Sequence, residues 1–371
     1  MRFSEVIGQE LIKSKLIDEV NNNKVSHAQL LLGKAGFGGL PLALSFAQYI
    51  FCKERGSDDS CGKCASCVKM EKLQHPDLHF VFPTVQSVSK TSSPLLAEWR
   101  EQIKEFPYFN LNNWSEKIDP KSRKPIISVH ESDEIIKRLS LHAFEGGYKV
   151  MIIWMPEEMN ISSANKLLKI LEEPPEKTIF LLVGEDQERL LQTIISRTQI
   201  IRVPRVSFEK VREYLLEKGA DGVSAESIAG RAEGDLRVAK AELSENTAQD
   251  DQRELFINMM RVCYKKNVID MISWAEQAAS LGKERQKQYL NYAVHMFRQS
   301  ILKNYTEDQL TRVSGEEDKF LINFARFITG NNIQDFSTSF NDAVYHIDRN
   351  ANPKILFTQL CFQVMRYIHN A

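Results

Sequence analysis

Four cysteines in the stretch "CKERGSDDSCGKCASC" are the residues whose spacing points most directly to chemistry: Cys52, Cys61, Cys64 and Cys67, in the pattern C-x8-C-x2-C-x2-C. The two-residue gaps let neighbouring thiolates converge on one ion. The longer polar gap, with Gly56 and Gly62 as flexible points, can bring the remaining cysteine round. Four thiolates suit a closed tetrahedral zinc site with no open position for a reacting water, so the expected role is structural. Free thiols and an iron–sulfur cluster are the alternatives, and the last cysteine does not follow in the usual bacterial cluster spacing. Cys263 and Cys361 lie in helical patterns and are expected to behave as small buried hydrophobes.

A second group lies in "LLLGKAGFGGLPLA", Leu30 to Ala43, where an apolar run leads through a glycine-rich turn into an apolar helix. On the phosphate-loop pattern G-x-x-x-x-G-K-[ST], Gly33 and Gly38 take the glycine positions, but Gly39 stands in place of the phosphate-binding lysine and Leu40 in place of the magnesium-binding hydroxyl. A hydrolytic site would also need a carboxylate pair at the end of a second strand. In "KVMIIWMPEEMN" the natural register puts Trp154 and Met155 there; Glu157 and Glu158 follow Pro156 and are expected to open the next helix. The loop, with Gly33, Gly36, Gly38 and Gly39, is therefore expected to hold ATP weakly or not at all, through backbone N–H groups alone, and to hydrolyse nothing. Lys34 lies too near the start of the loop to replace the missing lysine.

The third group is Ser196-Arg197-Thr198, just beyond a helical pattern and just before a strand, hence at a rim of the sheet. An arginine in such a place can reach a neighbouring subunit's γ-phosphate. Its side chain is then expected to be exposed, with no obligatory partner inside the chain; the alternative is a surface arginine in a salt bridge.

The elements that must position these groups change character along the chain. Apolar runs at "QLLLG", "LHFVFP", "PIISV", "YKVMIIWM", "TIFLLVG" and "QIIRVP" alternate with helical periodicity through the first 205 residues, which predicts a mostly parallel sheet covered by helices. From Ser207 short helical patterns are broken by glycines, and from about Asp250 the pattern is longer and wholly helical. Leu356, Phe357, Leu360, Cys361, Val364, Met365 and Ile368 form a wide apolar stripe, read as core or subunit interface. The class is α/β followed by all-α. With Lys+Arg 48 against Asp+Glu 49, the formal net charge of -1 gives no global field toward DNA or membrane. No signal-peptide core or membrane-length apolar run is present, so a cytoplasmic protein is expected.

The segment from Thr84 to Lys124 fits this alternation poorly. It holds a predicted helix with Leu95, Trp99, Ile103 and Phe106, then Tyr108, Phe109 and Trp114 followed by Lys117, Lys121, Arg123 and Lys124. Aromatics with basic residues could form a nucleic-acid platform. The other reading, an elaborated loop whose aromatics pack down, is preferred because the basic residues follow the aromatics and do not alternate with them.

Taken together, "HAQLLLGKAGFGG", the cysteine cluster followed by "HPDLHFVFP", "ANKLLKILEEPPEKTIFLLV" and "ERLLQTIISRTQ" resemble the bacterial clamp-loader subunits of DNA polymerase III, within the AAA+ superfamily. The resemblance is close over about the first 245 residues outside the 84–124 segment, and extends to the C-terminal helices in length and character only. It implies a RecA-like AAA+ domain over 1–205 with a zinc module at about 52–77, a helical lid over 206–248, and a helical collar domain for oligomerisation over 249–371. The motor subunits of that family keep an intact phosphate loop; this sequence is similar to the non-motor subunit, in which the loop degenerates. The family's Ser-Arg-Cys motif falls on Ser196, Arg197 and Thr198, with the cysteine replaced, and implies a trans-acting arginine finger. Arg237 in "GDLRVAK" matches the family's lid arginine and is read here as a structural salt bridge. The implied partners are the gamma/tau motor and delta subunits in a hetero-pentamer and, through the assembly, the sliding clamp and primed DNA, with no membrane. An active motor ATPase and a stand-alone zinc-dependent nucleic-acid-binding protein are the rival readings.

Overall fold

The computed structural model describes residues 1–121, 123–140, 142–244, 248–306 and 315–369. The chain divides into two compact units, Met1–Tyr214 with Glu233–Val238, and Leu215–Ala232 with Ala239–Ala371.

The first unit is built on five parallel strands, β1 (Ala28–Leu32), β2 (Leu78–Val81), β3 (Lys149–Trp154), β4 (Thr178–Gly184) and β5 (Gln199–Arg202), in the spatial order β2-β3-β4-β1-β5. The helices of this unit are α1 (Glu10–Asn21), α2 (Gly39–Phe51), α3 (Ala65–Glu71), α4 (Leu96–Glu105), α5 (Leu111–Ile118), α6 (Val129–Ser140), α7 (Ile161–Glu172) and the single turn α8 (Gln192–Ile195). Strands covered on both faces read as unbroken apolar runs, because alternate side chains enter different cores. Val150, Ile152 and Trp154 of β3 join one core with residues of α1, α2, α4 and α5, while Met151 and Ile153 join the other with residues of α6 and α7. Parallel pairing brings the carboxyl ends of β1, β3 and β4 to one rim, which is where open α/β sheets place ligands.

Five of the six strand-like runs form strands; "PIISV" does not. Ile126 bridges antiparallel to Thr84 and Ile127 parallel to Met159, so the run divides its hydrogen bonds between two partners before α6 begins at Val129. The Thr84–Lys124 segment contains two helices, α4 and α5. Asn110 caps α5 by accepting from the Asn113 N–H at 3.0 Å.

The boundary between the units passes within α9 (Phe208–Glu217) and α11 (Leu236–Ser244); α10 (Gly222–Ala232) belongs to the second unit. That unit continues through α12 (Ala248–Lys265), α13 (Val268–Ala279), α14 (Lys283–Tyr305), α15 (Gly315–Phe324), α16 (Ile333–Asp348) and α17 (Pro353–His369). Its core is aromatic-rich, with Phe256, Tyr289, Phe297, Phe336, Phe340 and Phe357 buried together. The stripe read on the last helix is core: Phe357, Leu360, Cys361, Val364 and Ile368 are buried, with Leu356 and Met365 partly so. Cys263 and Cys361 are buried and free, as expected. Among the described residues no helix is long and apolar enough to cross a membrane.

Candidate functional site

The four N-terminal cysteines converge. Cys52 ends α2, Cys64 caps α3 and Cys67 lies in its first turn, so two helix ends position three of the sulfurs and the polar loop delivers Cys61. All four Sγ atoms lie within 4.8 Å of one another, with Cys52 to Cys64 and Cys61 to Cys67 each at 3.9 Å. A tetrahedral zinc with Zn–S bonds of about 2.3 Å needs sulfur–sulfur edges of about 3.8 Å. Two of the edges match that spacing and all four sulfurs face one point, so the cluster is consistent with a structural zinc site.

Backbone amides tune the sulfurs. The Cys61 N–H donates to Cys52 Sγ at 3.3 Å and the Cys64 N–H to Cys61 Sγ at 3.3 Å. Burial alone would raise the Cys64 thiol, but the amides of Cys67 and Lys53 and the neighbouring sulfurs hold it down at about 6. Burial and neighbouring sulfurs push Cys67 up. The long gap is also tied down: the Asp59 carboxylate accepts the N–H groups of Phe3 and Ser4 at 3.0 and 2.9 Å, and the Met1 amino group donates to Gln48 Oε1 at 2.7 Å. The metal loop and the chain's first residues thus share one set of hydrogen bonds.

The glycine-rich turn read as a degenerate phosphate loop is packed against the protein's own residues. After β1 the Gly33 N–H donates to the Gly184 carbonyl at 3.0 Å, Ala35–Phe37 make a 3₁₀ turn, and Gly38 enters α2 with φ +99°. A Cβ on Gly36 would stand 1.7 Å from Asp235 Oδ1, and one on Gly38 would stand 3.2 Å from the Tyr108 ring. A Cβ on Gly33 would stand 2.4 Å from the Val203 carbonyl oxygen, and one on Gly39 3.2 Å from the Val183 side chain. The closeness that glycine gives a bound phosphate is used here by the protein's own atoms. Leu40 is buried.

The strand end that would carry acids carries an aromatic. Trp154 is 2 % exposed and stands with Trp99 at 5.1 Å and Phe109 at 5.0 Å between ring centroids. Trp99 in turn stacks on Phe82 at 4.3 Å, and the Trp114 indole donates to the Pro83 carbonyl at 2.8 Å. The aromatics of the Thr84–Lys124 segment therefore pack down. Three of its basic residues are paired as well, Lys117 with Glu101 at 3.1 Å, Arg123 with Asp119 at 2.8 Å and Lys124 with Glu158 at 3.3 Å.

Glu157 and Glu158 do not open α7. They sit in a 3₁₀ turn, Pro156–Glu158, because Asn160 caps α7 through the Ser163 N–H at 2.8 Å. Glu157 accepts the N–H groups of Glu185 and Asp186 at 2.7 and 3.3 Å, and burial nonetheless pushes its carboxyl up. Glu158 pairs with Arg189 and Lys124. Burial, then the charge of Glu157, pushes Glu185 up to about 7.

Arg197 lies where the sequence places it, between the Ser196 cap of α8 and the start of β5. It is not unpartnered. Its guanidinium pairs with Glu172 at the end of α7, and Nη1 donates to the Thr193 carbonyl at 3.1 Å and to Ser196 Oγ at 3.3 Å. The expected lack of an internal partner fails because α7 ends beside α8 and brings a carboxylate within reach. The side chain keeps 34 % exposure at the rim. Thr198 Oγ1 donates back to the Ile194 carbonyl at 3.1 Å. Arg237 pairs with Asp235 at 3.2 Å, a salt bridge as read from the sequence.

A family model described as DNA polymerase III, delta subunit, matches residues 8–207, more than half of the 371. The chain belongs to that family, among the clamp-loader AAA+ proteins. It is 28 % identical over 314 residues to the DNA polymerase III subunit delta' of Bacillus subtilis (strain 168), spanning 84 % of this chain and 80 % of that one. Against subunit tau of the same organism it is 26 % identical over 326 residues, 81 % of this chain and 50 % of that one. A solved DNA polymerase III gamma subunit-related protein from Thermotoga maritima aligns over 97 % of this chain and 99 % of its own, at 14 % identity and a TM-score of 0.41.

In this member of the DNA polymerase III delta' family, sequence reasoning missed Glu172, Asp235 and Glu185, and named Tyr108 only as part of an aromatic run. Asp235 carried a readable signal: an Asp two residues before Arg237, at the start of α11, is a helix-cap residue, and it accepts the Arg237 N–H at 2.9 Å. Nothing local marks Glu172 or Tyr108.

Proposed function

We propose that the chain is the non-hydrolysing delta' stator of a bacterial replicative clamp loader, and that it lends Arg197 as an arginine finger to the ATP site of a neighbouring motor subunit. The observation that carries this reading is the contrast between the two rims of the parallel sheet: lysine, hydroxyl and both acids are absent from the chain's own site at Gly39, Leu40, Trp154 and Met155, beyond the carboxyl ends of β1 and β3, while Arg197 stands part-exposed at the opposite rim, just before β5. A guanidinium at the γ-phosphate neutralises charge as it develops and accelerates hydrolysis by about 10³ to 10⁵. In this reading Ser196 and Thr198 hold the turn, Gly33, Gly36, Gly38 and Gly39 form a loop with weak or no hold on ATP, and Cys52, Cys61, Cys64 and Cys67 bind one structural zinc. Residues 1–205 act as the AAA+ domain, 206–248 as the lid and 249–371 as the collar. The partners are the gamma/tau motor subunits and delta in a hetero-pentamer that opens the sliding clamp and closes it on primed DNA in the cytoplasm.

The test is a reconstituted loader carrying Arg197→Ala, assayed for ATP hydrolysis with clamp and primed DNA. Hydrolysis at the adjoining motor should fall by about a hundredfold or more while the pentamer still assembles. An unchanged rate at every motor site would leave the subunit a purely architectural end-piece.

A further inference from the structure

The Thr84–Lys124 segment is the motif that the proposed function leaves without a task. We infer that it is an internal plug: it occupies the crevice that a nucleotide would enter, so that this subunit is closed to ATP by its own chain as well as lacking the residues to use it. The inference rests on reading the loop at Gly33–Gly39 as a vacated phosphate site.

Two contacts place the segment there. The Tyr108 ring lies against Gly38, the residue that opens α2, so close that a Cβ would come to 3.2 Å from it. A phosphate binds at such a helix start by approaching the loop amides directly, and the ring takes that approach. Tyr108 is 3 % exposed, and its hydroxyl accepts the Ile7 N–H at 3.0 Å, which pins the ring between the loop and the chain's N-terminal residues. At the neighbouring strand end, Phe109 packs on Trp154, the side chain that stands where the magnesium-binding acids would be. The lost chemistry and the added segment are therefore one structural change: an aromatic at position 154 removes the acid and supplies the surface on which the plug sits. Asp235 closes the loop further along, with Oδ1 against Gly36, and puts a carboxylate where a phosphate oxygen would need the space.

Equilibrium binding of ATP to the isolated full-length chain tests the plug. Wild type and Tyr108→Phe, which keeps the ring, should bind alike and barely; Tyr108→Ala, folded as judged by thermal unfolding, should bind at least about tenfold more tightly, since a helix start attracts anions even without a lysine. Unchanged affinity in folded Tyr108→Ala would overturn the inference. Should that variant fail to fold, hydrogen exchange on wild type decides. The Ile7 amide and residues 106–110 should be protected, and millimolar ATP should change neither them nor residues 35–40. Added protection at 35–40 with 106–110 undisturbed would mean that nucleotide fits beside the plug, and would overturn it. A stator with an open crevice would pass the Arg197→Ala test and fail this one, so the two readings fail separately.

Discussion

The cysteine cluster and the glycine-rich turn after β1 flank the same helix, α2, and differ in what surrounds them. At the C-terminal end of α2 the four sulfurs that the sequence suggests come together within 4.8 Å of one another. At its N-terminal end Tyr108 packs against Gly38 and Asp235 against Gly36. Where a turn lacks ligand side chains, packing against the protein's own groups keeps its backbone from standing in an empty crevice, which would forfeit packing contacts and leave backbone amides unsatisfied.

The comparison breaks most readily at the metal. Structural zinc supplies on the order of 10–16 kcal/mol in small sites, so chelation or Cys64→Ser should unfold the loop locally; metal analysis should show one zinc per wild-type chain and its loss from the variant. Because Asp59 clamps Phe3 and Ser4, hydrogen exchange should then rise at residues 3–4 as well. Full zinc occupancy in Cys64→Ser would show that another ligand set holds the ion.

At the filled end, Trp114→Ala removes a fully buried indole that touches Phe82 and Trp99 and should cost about 3–5 kcal/mol, read as a lower midpoint in denaturant. A loss within experimental error would mean that the segment is an appendage and not part of the core. Gly36→Ala forces a methyl against Asp235 and should cost about 1–3 kcal/mol by overpacking; Gly36→Ala with Asp235→Ala should recover part of that loss.

Charge sharpens the contrast further. Glu185, raised from 4.5 to about 7 first by burial and then by Glu157, holds a proton in the folded state that the unfolded chain has already released. Stability should therefore fall as pH rises from about 4.5 to about 7. Glu185→Gln should reduce that slope and raise the melting temperature most at the alkaline end of the window; an identical slope in the variant would remove Glu185 as its cause. The smallest effect belongs to Arg197. Its pair with Glu172 is half in solvent, so Arg197→Ala should change stability by less than about 1 kcal/mol, even as it slows the neighbouring motor. A larger loss would make Arg197 a structural residue.

Much of this was legible before any coordinates. All five strands of the parallel sheet, the helical C-terminal region and the buried stripe on α17 follow from apolar runs and periodicity. The "PIISV" run shows the limit: its composition suits a strand, but its two isoleucines found different partners. Glu157 and Glu158 show another, since Asn160 outcompeted them as the start of α7.

The sequence by itself determined which side chains stand at a few positions: four thiols at ligand spacing, and no lysine, hydroxyl or acid at Gly39, Leu40, Trp154 and Met155. Only the tertiary structure decided what packs against the glycine-rich turn after β1 and what partners Arg197. Tyr108 meets Gly38, Asp235 meets Gly36 and Glu172 meets Arg197 across long stretches of chain. Periodicity tells a residue which way to face within its own element and is blind to the partner it will face; that partner is chosen by how the sheet and its helices pack.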